Sequence, residues 1–174
     1  MNLFRLDNCP KVAAQQYQDL HVTKIVLEAT QLLANCYTPI QLRAAPRTKV
    51  GNIRKHSHIH HPISKWTKET RGNFDWALAH AVALADEFKF RFGKPHFCVG
   101  FIVWASKNQP TVPSGDSTEQ PQCFLKFPEC VVLGDPVSGY RNYYNLTKLY
   151  FLIRGKTIKA TWTKRSVPAW ILTA

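Results

Sequence analysis

Long hydrophobic runs are missing from this chain. No apolar stretch reaches the roughly 18 residues that a membrane-spanning helix needs, and the first residues, MNLFRLDNCP, do not have the basic and then apolar layout of a signal peptide. We therefore expect a soluble, cytoplasmic protein with no membrane partner. With 174 residues, no internal repeat and 45% hydrophobic residues, the chain fits a single domain, residues 1–174, with a sizeable core.

Several catalytic signatures are missing as well. The five cysteines are isolated and never form a C-x-x-C pair, which argues against a zinc ribbon and against a disulfide framework. The chain also has no G-x-x-x-x-G-K-[ST], no G-x-G-x-x-G, no G-x-S-x-G and no H-E-x-x-H. Nucleotide hydrolysis, dinucleotide redox chemistry, serine hydrolysis and zincin chemistry thus lose their usual support.

Acidic residues are scarce. The chain has 11 Asp and Glu against 23 Lys and Arg, a net charge of +12. Two segments, residues 29–68 and 136–174, contain no acidic residue and seven cations each; we call them the first and second acid-free stretches. Such charge suits a polyanion, because each neutralised phosphate releases counterions. We expect a nucleic-acid partner; the alternatives are an acidic protein partner or a basic protein kept soluble by its charge.

Hydrophobic periodicity predicts two long helices that line the core. The first spans residues 10–36, with apolar side chains at helical spacing. The second spans about residues 64–92, is interrupted or weakened at Gly72 and stops at Gly93. The other predictions are a strand or extended arm over 3–7, a long basic loop over 37–63, a Pro/Ser/Gly-rich loop over 108–122, and strand or helix over 96–105 and 149–162, the latter with a hairpin around 154–156 as one option.

A row of polar residues borders the apolar face of the first predicted helix. Tyr17, His21, Lys24 and Glu28 follow one another along one side at about 100° per residue. The row fits the edge of an active site. It also fits an ordinary helix flank with a Lys24–Glu28 pair, which contributes about 0.2–0.5 kcal/mol.

Four of the seven histidines lie in RKHSHIHHP, residues 54–62. In an extended segment His56, His58 and His60 would project from one face and could bind a metal. The positive surroundings argue against this, because neutral imidazole must compete with protonation and no carboxylate lies nearby in sequence. We favour phosphate contacts by a basic loop, and we expect neither a metal nor a cofactor.

Aromatic and cationic residues alternate in the C-terminal third. The segments GYRNYYNLTK and KATWTKRSVPAW contain Tyr140, Tyr143, Tyr144, Trp162 and Trp170 among several cations. Aromatic rings stack on exposed bases for about 1–3 kcal/mol each, while cations bind phosphates. The alternative is that the rings belong to the core and the cations are merely solvated.

Six blocks of this sequence carry a family resemblance when they are taken in order: NLFRLD, DLHVTKIVLEATQLL, HPISKWTKETRGNFDWAL, EFKFRFGKPH, YRNYY and WTKRSVPAW. They resemble the phage-borne proteins labelled pyrimidine-dimer DNA glycosylase, or endonuclease V-like, over most of the chain. The resemblance implies a mainly α, single compact helical domain, with a short N-terminal arm and a small C-terminal β-hairpin as further elements. It also implies a protein that binds kinked duplex DNA, which we expect in the host cell cytoplasm; the sequence leaves the oligomeric state open, and we favour a monomer.

The resemblance also implies a mechanism. Enzymes of this type attack C1′ of a damaged nucleotide with the α-amino group, form an imine and permit β-elimination of the phosphate, with help from a glutamate on the first long helix. An α-amine has a pKa near 7.7–8.0, so part of it is neutral at physiological pH. The expected catalytic residues are Met1, His21 or Glu28 for protons, and Lys24 for negative charge or as an amine nucleophile.

Two positions depart from those enzymes. Asn2 is a large second residue, which normally leaves Met1 in place, and Thr23 stands near the place of their catalytic glutamate. The resemblance assigns the following substrate contacts: phosphates to Arg71, Arg141, Lys164 and Arg165, a flipped base to Trp66, Tyr144 or Trp162, and further contacts to His61 and Asn73.

These observations predict a DNA glycosylase or abasic-site lyase that acts on the base–sugar bond of damaged or modified bases in duplex DNA. One alternative is a non-catalytic phage DNA-binding or packaging-associated protein. The other is a histidine-ligated metal enzyme.

Overall fold

The computed structural model describes residues 2–153 and 155–172; Met1, Arg154, Thr173 and Ala174 lie outside these ranges, and only the backbone of Ile153 is described. Within these ranges the chain is mainly helical with one antiparallel hairpin, as predicted. The elements are α1 (Pro10–Gln16), α2 (Asp19–Ala34), α3 (Pro39–Ala44), α4 (Pro62–Thr67), α5 (Arg71–Phe92), α6 (Val99–Lys107), a 3-10 turn (Pro128–Cys130), α7 (Pro136–Thr147), β1 (Tyr150–Ile153) and β2 (Lys156–Lys159).

The helix predicted over residues 10–36 is two helices, so the prediction of one continuous helix is wrong. Tyr17 has extended backbone, with ψ 142°, and the side chain of Gln18 caps α2 by accepting a hydrogen bond from the Leu20 N–H. The bend lets the Tyr17 hydroxyl donate to the carbonyl of Phe4 in the N-terminal arm, at 2.7 Å. Periodicity detects the apolar face but not a change of direction between two helices that share it.

The helix predicted over residues 64–92 is also divided. The chain leaves α4 after two turns, and Thr70 then caps α5 with its side chain. Gly72, predicted as the weak point, lies inside α5, where a Cβ would come within 2.2 Å of the Ser117 nitrogen. This glycine therefore permits a loop to approach the helix closely. Gly93 ends α5 in the left-handed conformation, with φ 71°, as predicted.

The segments that the sequence left open are now assigned. The apolar segment 96–105 contributes most of α6, and the segment 149–162 contains the hairpin. Residues 3–7 form an extended arm rather than a strand, and the long loop over 37–63 contains α3. Buried apolar residues of the arm are Leu3, Phe4 and Leu6.

The core lies where α1 and α2 pack against α5. The face of α2 that is turned to the core carries the apolar residues of the predicted stripe: Val22, Ile25, Val26, Ala29, Leu32 and Leu33. The opposite side of α2 consequently faces solvent. No helix in the described part of the chain is long and apolar enough to cross a membrane.

A buried ionic network, formed by Asp19, Glu87, Arg91 and Arg165, ties the beginning of α2 to α5. Arg91 donates to Glu87 at 2.6 Å and to Asp19 at 3.0 Å, and Glu87 also accepts from Arg165 at 2.8 Å. Burial opposes ionisation of Glu87, but the hydrogen bonds from Arg165 and Arg91 outweigh it and hold the pKa of this carboxyl below its ordinary value. The network is therefore charged and internally satisfied.

Candidate active site at the start of the chain

The solvent side of α2 presents Lys24 and Glu28 together. Lys24 Nζ lies 3.4 Å from Glu28 Oε1, and the two side chains are 68% and 12% exposed. Thr23 is exposed beside them, and its hydroxyl donates to the Asp19 carbonyl. Asp19 itself belongs to the buried ionic network. The carboxylate that α2 offers at its surface is therefore that of Glu28.

The start of the chain lies directly over Glu28. The backbone N–H of Asn2 donates to Glu28 Oε2 at 2.6 Å. The Asn2 side chain is held in place as well: its amide donates to the Cys123 carbonyl at 3.4 Å, and its oxygen accepts from the Tyr140 hydroxyl at 3.0 Å. Met1, the predicted nucleophile, lies outside the described residues. The geometry thus brings the N-terminal backbone to the one predicted catalytic carboxylate.

His21 lies one to two helical turns before Glu28 but is buried. Its Nδ1 is 2.9 Å from the Tyr144 hydroxyl, which already accepts from the Gln18 N–H and so has its own hydrogen free to donate. Burial, with the nearby cations Lys148 and Lys24, lowers the pKa of His21 from 6.5 to about 3. The imidazole is therefore neutral at physiological pH and enclosed by aromatic rings, an environment that suits a structural role.

An aromatic cleft of about 400 Å³ opens next to Asn2. Phe124 and Tyr143 are stacked, with ring centroids 4.7 Å apart and planes 11° apart, and Lys148 Nζ lies 4.7 Å from the Tyr143 centroid. Cys123, whose carbonyl contacts Asn2, belongs to the wall. We define the aromatic cleft by His61, Cys123, Phe124, Phe127 and Tyr143.

His61 supplies a hydrogen-bond donor to this cleft. Its Nδ1 accepts from the Ile63 N–H at the beginning of α4, at 3.2 Å. Burial lowers the pKa of His61, which favours the neutral ring. A neutral ring whose Nδ1 is an acceptor carries its hydrogen on Nε2. Of the predicted substrate-binding residues, His61 is the one that lines the cleft.

No protein-family profile, curated protein or solved structure matches this chain.

Four other predicted substrate-binding residues are buried: Trp66, Asn73, Tyr144 and Trp162. The indole nitrogens of both tryptophans donate to backbone carbonyls, and the Asn73 amide bonds a carbonyl, a hydroxyl and a loop N–H. Each polar group is satisfied inside the protein. Among the described residues that line the aromatic cleft, none of these four occurs.

The four predicted phosphate-binding cations are also engaged within the protein. Arg71 donates to the loop after α6, and Arg141 donates to the Leu6 carbonyl in the N-terminal arm. Lys164 donates to a carbonyl near the end of α5, and Arg165 belongs to the buried ionic network. These contacts explain the four residues structurally and do not bring them to Glu28.

A basic groove of about 710 Å³ lies along the second half of α2. Leu27 and Gln31 contribute its α2 side, and the first acid-free stretch supplies the cations. The predicted site residues did not include these cations, although the absence of acidic residues from this stretch of the sequence pointed to them. We define the basic groove by Leu27, Gln31, Arg47, Arg54, Lys55 and His56.

The histidine run is not extended, so the three-histidine arrangement does not form. His58 has φ 51°, and His56 Nε2 lies 2.7 Å from the Tyr37 carbonyl. Across residues 2–153 and 155–172, no group of three or more His, Cys, Asp or Glu side chains is arranged to bind a metal.

Proposed function

We propose that this protein binds duplex DNA and cleaves the base–sugar bond of a damaged or modified nucleotide, with its α-amine as nucleophile and Glu28 as proton acceptor. The main support is the 2.6 Å contact between the Asn2 N–H and Glu28. Removal of Met1 would make the nitrogen of Asn2, which contacts Glu28, the α-amine.

The chemistry needs only an amine, a carboxylate and water. The neutral amine attacks C1′, the glycosidic bond breaks, and the base leaves with the bonding electrons and is protonated on departure. Glu28 accepts the proton that the amine loses, and opening of the C1′–O4′ bond leaves an imine. Loss of a C2′ proton then expels the 3′ phosphate by β-elimination. His21 is excluded from proton transfer in this scheme because it is buried and its pKa is about 3.

The surroundings of Glu28 suit a nucleotide. Lys24 is 68% exposed, so it can contact a phosphate beside Glu28. The aromatic cleft, lined by Phe124, Phe127, Tyr143 and His61, offers an aromatic wall to an extruded base. Enzymes that act on a base in a duplex must take it out of the stack, and such a pocket compensates part of the unstacking free energy.

Borohydride trapping tests the proposal. The protein is incubated with duplexes that contain an abasic site, a pyrimidine dimer, other damaged or modified bases, or normal bases, and borohydride reduces any imine to a stable adduct. We expect an adduct on at least one duplex, located by mass spectrometry at the N-terminal residue. An adduct at Lys24 would overturn the assignment of the nucleophile.

A non-catalytic DNA-binding protein is the second candidate. The basic groove favours it, because the exposed cations Arg47 and Lys55 lie beside the second half of α2 and need no amine chemistry to bind phosphates. Salt-dependent DNA binding without an adduct on any duplex of the panel would support this candidate and contradict the enzyme.

A further inference from the structure

We propose that the hairpin of β1 and β2, which we call the C-terminal ribbon, binds in the major groove of duplex DNA beside the candidate active site. This inference rests on the proposed DNA partner and adds the surface that reads the duplex.

The C-terminal ribbon has an outer face that nothing in the described chain covers. Paired strands place Tyr150 opposite Lys159 and Leu152 opposite Thr157, so these four side chains share one face. Tyr150 is 55% and Leu152 77% exposed. A two-stranded hairpin is marginally stable in water by itself, and apolar side chains on its open face gain free energy when a partner covers them.

The base of the ribbon is anchored to the body of the protein. The carbonyl of Thr161, just after β2, accepts from the Asp19 N–H of α2 at 2.9 Å, and the Phe151 ring lies 5.6 Å from the His21 ring between centroids. The ribbon therefore projects from a fixed root. That root is on α2, about 10 Å along the helix from Glu28 at a rise of 1.5 Å per residue.

The positive charge of the ribbon favours duplex DNA as its partner. The ribbon lies in the second acid-free stretch, and Lys148, Lys156 and Lys159 make no ion pair with an acid among the described residues. Cations around an apolar strip suit a duplex, whose phosphates flank base edges and thymine methyl groups. An acidic protein surface could form ion pairs with the lysines. It would not offer the apolar strip the base edges and methyl groups that a DNA groove provides.

The width of the ribbon favours the major groove of the duplex. Two paired strands are about 4.8 Å apart, and with their side chains they fill the B-DNA major groove, which is about 12 Å wide. The undistorted minor groove is about 6 Å wide and would have to widen to admit both strands. Because base pairs are about 3.4 Å apart, the 10 Å between the ribbon root and Glu28 spans at most about three base pairs. The ribbon should thus contact the duplex within about three base pairs of the reacting nucleotide.

The test measures binding of the full chain to a fluorescent duplex that carries a non-cleavable abasic analogue, over a series of salt concentrations. Lys156→Gln with Lys159→Gln should weaken binding about tenfold and reduce the slope of log affinity against log salt by about 1.8. Leu152→Ser should weaken binding about fivefold and leave the slope unchanged. The matched control is Lys89→Gln with Lys107→Gln, which removes the same charge from the groove between α5 and α6.

Chemical footprinting adds the groove assignment. We expect protection of guanine N7, a major-groove atom, within about three base pairs of the analogue, and loss of that protection in the ribbon variants. Protection of adenine N3 in the minor groove would overturn the inference.

The outcomes separate the two proposals. Wild-type protein that binds the duplex while ribbon and control variants bind equally well would overturn the ribbon inference and leave the proposed function standing. Failure of the wild-type protein to bind any duplex would overturn both. Ribbon variants that lose binding to phosphatidylserine vesicles but keep DNA binding would assign the ribbon to a membrane surface and overturn the inference.

Discussion

Two carboxylate–cation pairs in this protein have the same helical spacing and different environments. Glu87 and Arg91 on α5 are an i,i+4 pair, with side chains 3% and 0% exposed. Lys24 and Glu28 on α2 are also an i,i+4 pair, with side chains 68% and 12% exposed. The i,i+4 spacing brings the two side chains of each pair together, but the degree of burial determines which further groups each pair can contact. The buried pair joins helices, whereas the second pair has its lysine in solvent and its carboxylate partly buried.

The buried pair has partners on several elements. Arg91 also donates to the carbonyls of Gln15 and Tyr17, at 2.9 and 2.7 Å, so its guanidinium holds the end of α1 against α5. The exposed pair has the start of the chain as its added neighbour, through Asn2. The first arrangement joins α1, α2 and α5, whereas the second brings the backbone of Asn2 to a carboxylate.

The largest expected effect comes from breaking the buried pair. Arg91→Leu leaves the carboxylates of Asp19 and Glu87 buried without their shared cation, and we expect it to lower the free energy of unfolding by about 3–5 kcal/mol. Urea denaturation followed by circular dichroism measures this. A loss below about 1 kcal/mol would show that the buried ionic network is not what joins α2 to α5.

The next effect concerns the exposed pair and catalysis. Glu28→Gln keeps the shape of the side chain but removes the proton acceptor, so we expect the rate of borohydride trapping to fall about 100-fold at unchanged stability. Asp86→Asn, an exposed carboxylate on α5, is the matched control and should trap at the wild-type rate. Equal rates for the two variants would remove Glu28 from the mechanism.

His21 sharpens the comparison because it lies on α2 beside the exposed pair and is itself buried. Its pKa of about 3 in the folded protein lies below the unfolded value of about 6.5, so the unfolded chain binds the proton first. Stability should therefore fall as the pH drops from about 6.5, by about 1.4 kcal/mol per pH unit for this group. Urea unfolding of His21→Gln between pH 6 and 4 should show a slope smaller by one proton.

His58→Gln, the same substitution at an exposed position, serves as the control for this measurement. His80, buried and with its pKa lowered to about 4 by burial, contributes a second proton to the wild-type slope. An unchanged slope in His21→Gln would show that the ring is accessible to protons in the folded protein.

The smallest effect is expected at Lys24. Lys24→Met should change the free energy of unfolding by less than about 0.5 kcal/mol, because solvent screens an exposed pair. It should nevertheless weaken DNA binding and reduce its salt slope by about one. A stability loss as large as that of Arg91→Leu would abolish the contrast between the two pairs.

Much of the fold was predictable from local pattern. The apolar stripe from Val22 to Leu33 predicted the buried face of α2, and Gly93 predicted the end of α5. The interruptions were not predictable in the same way. The chain turns at Tyr17 and Gln18, where the Tyr17 hydroxyl bonds to the N-terminal arm. Gly72 is required because the loop at Ser117 packs closely against it. Both causes are contacts between distant segments.

The candidate site was predictable in part. Glu28 and Lys24 stood out by their spacing, and His61 by its place in a family-like block. Trp66, Asn73, Tyr144 and Trp162 stood out for the same reasons and are buried. Residue type and spacing describe what a side chain can do, but they do not reveal whether water or substrate can reach it.

By itself, the sequence determined the helical content, the excess of positive charge and the faces of α2, because each depends on residues close together in the chain. The tertiary structure alone decided that Asn2 meets Glu28, that Arg91 meets Asp19 and that His21 is buried. Periodicity predicts which side of a helix is apolar and will be buried. Which distant segment packs against that side depends on how all the elements pack together. In this protein, packing buried the Glu87–Arg91 pair between helices and left Lys24 of the other pair in solvent.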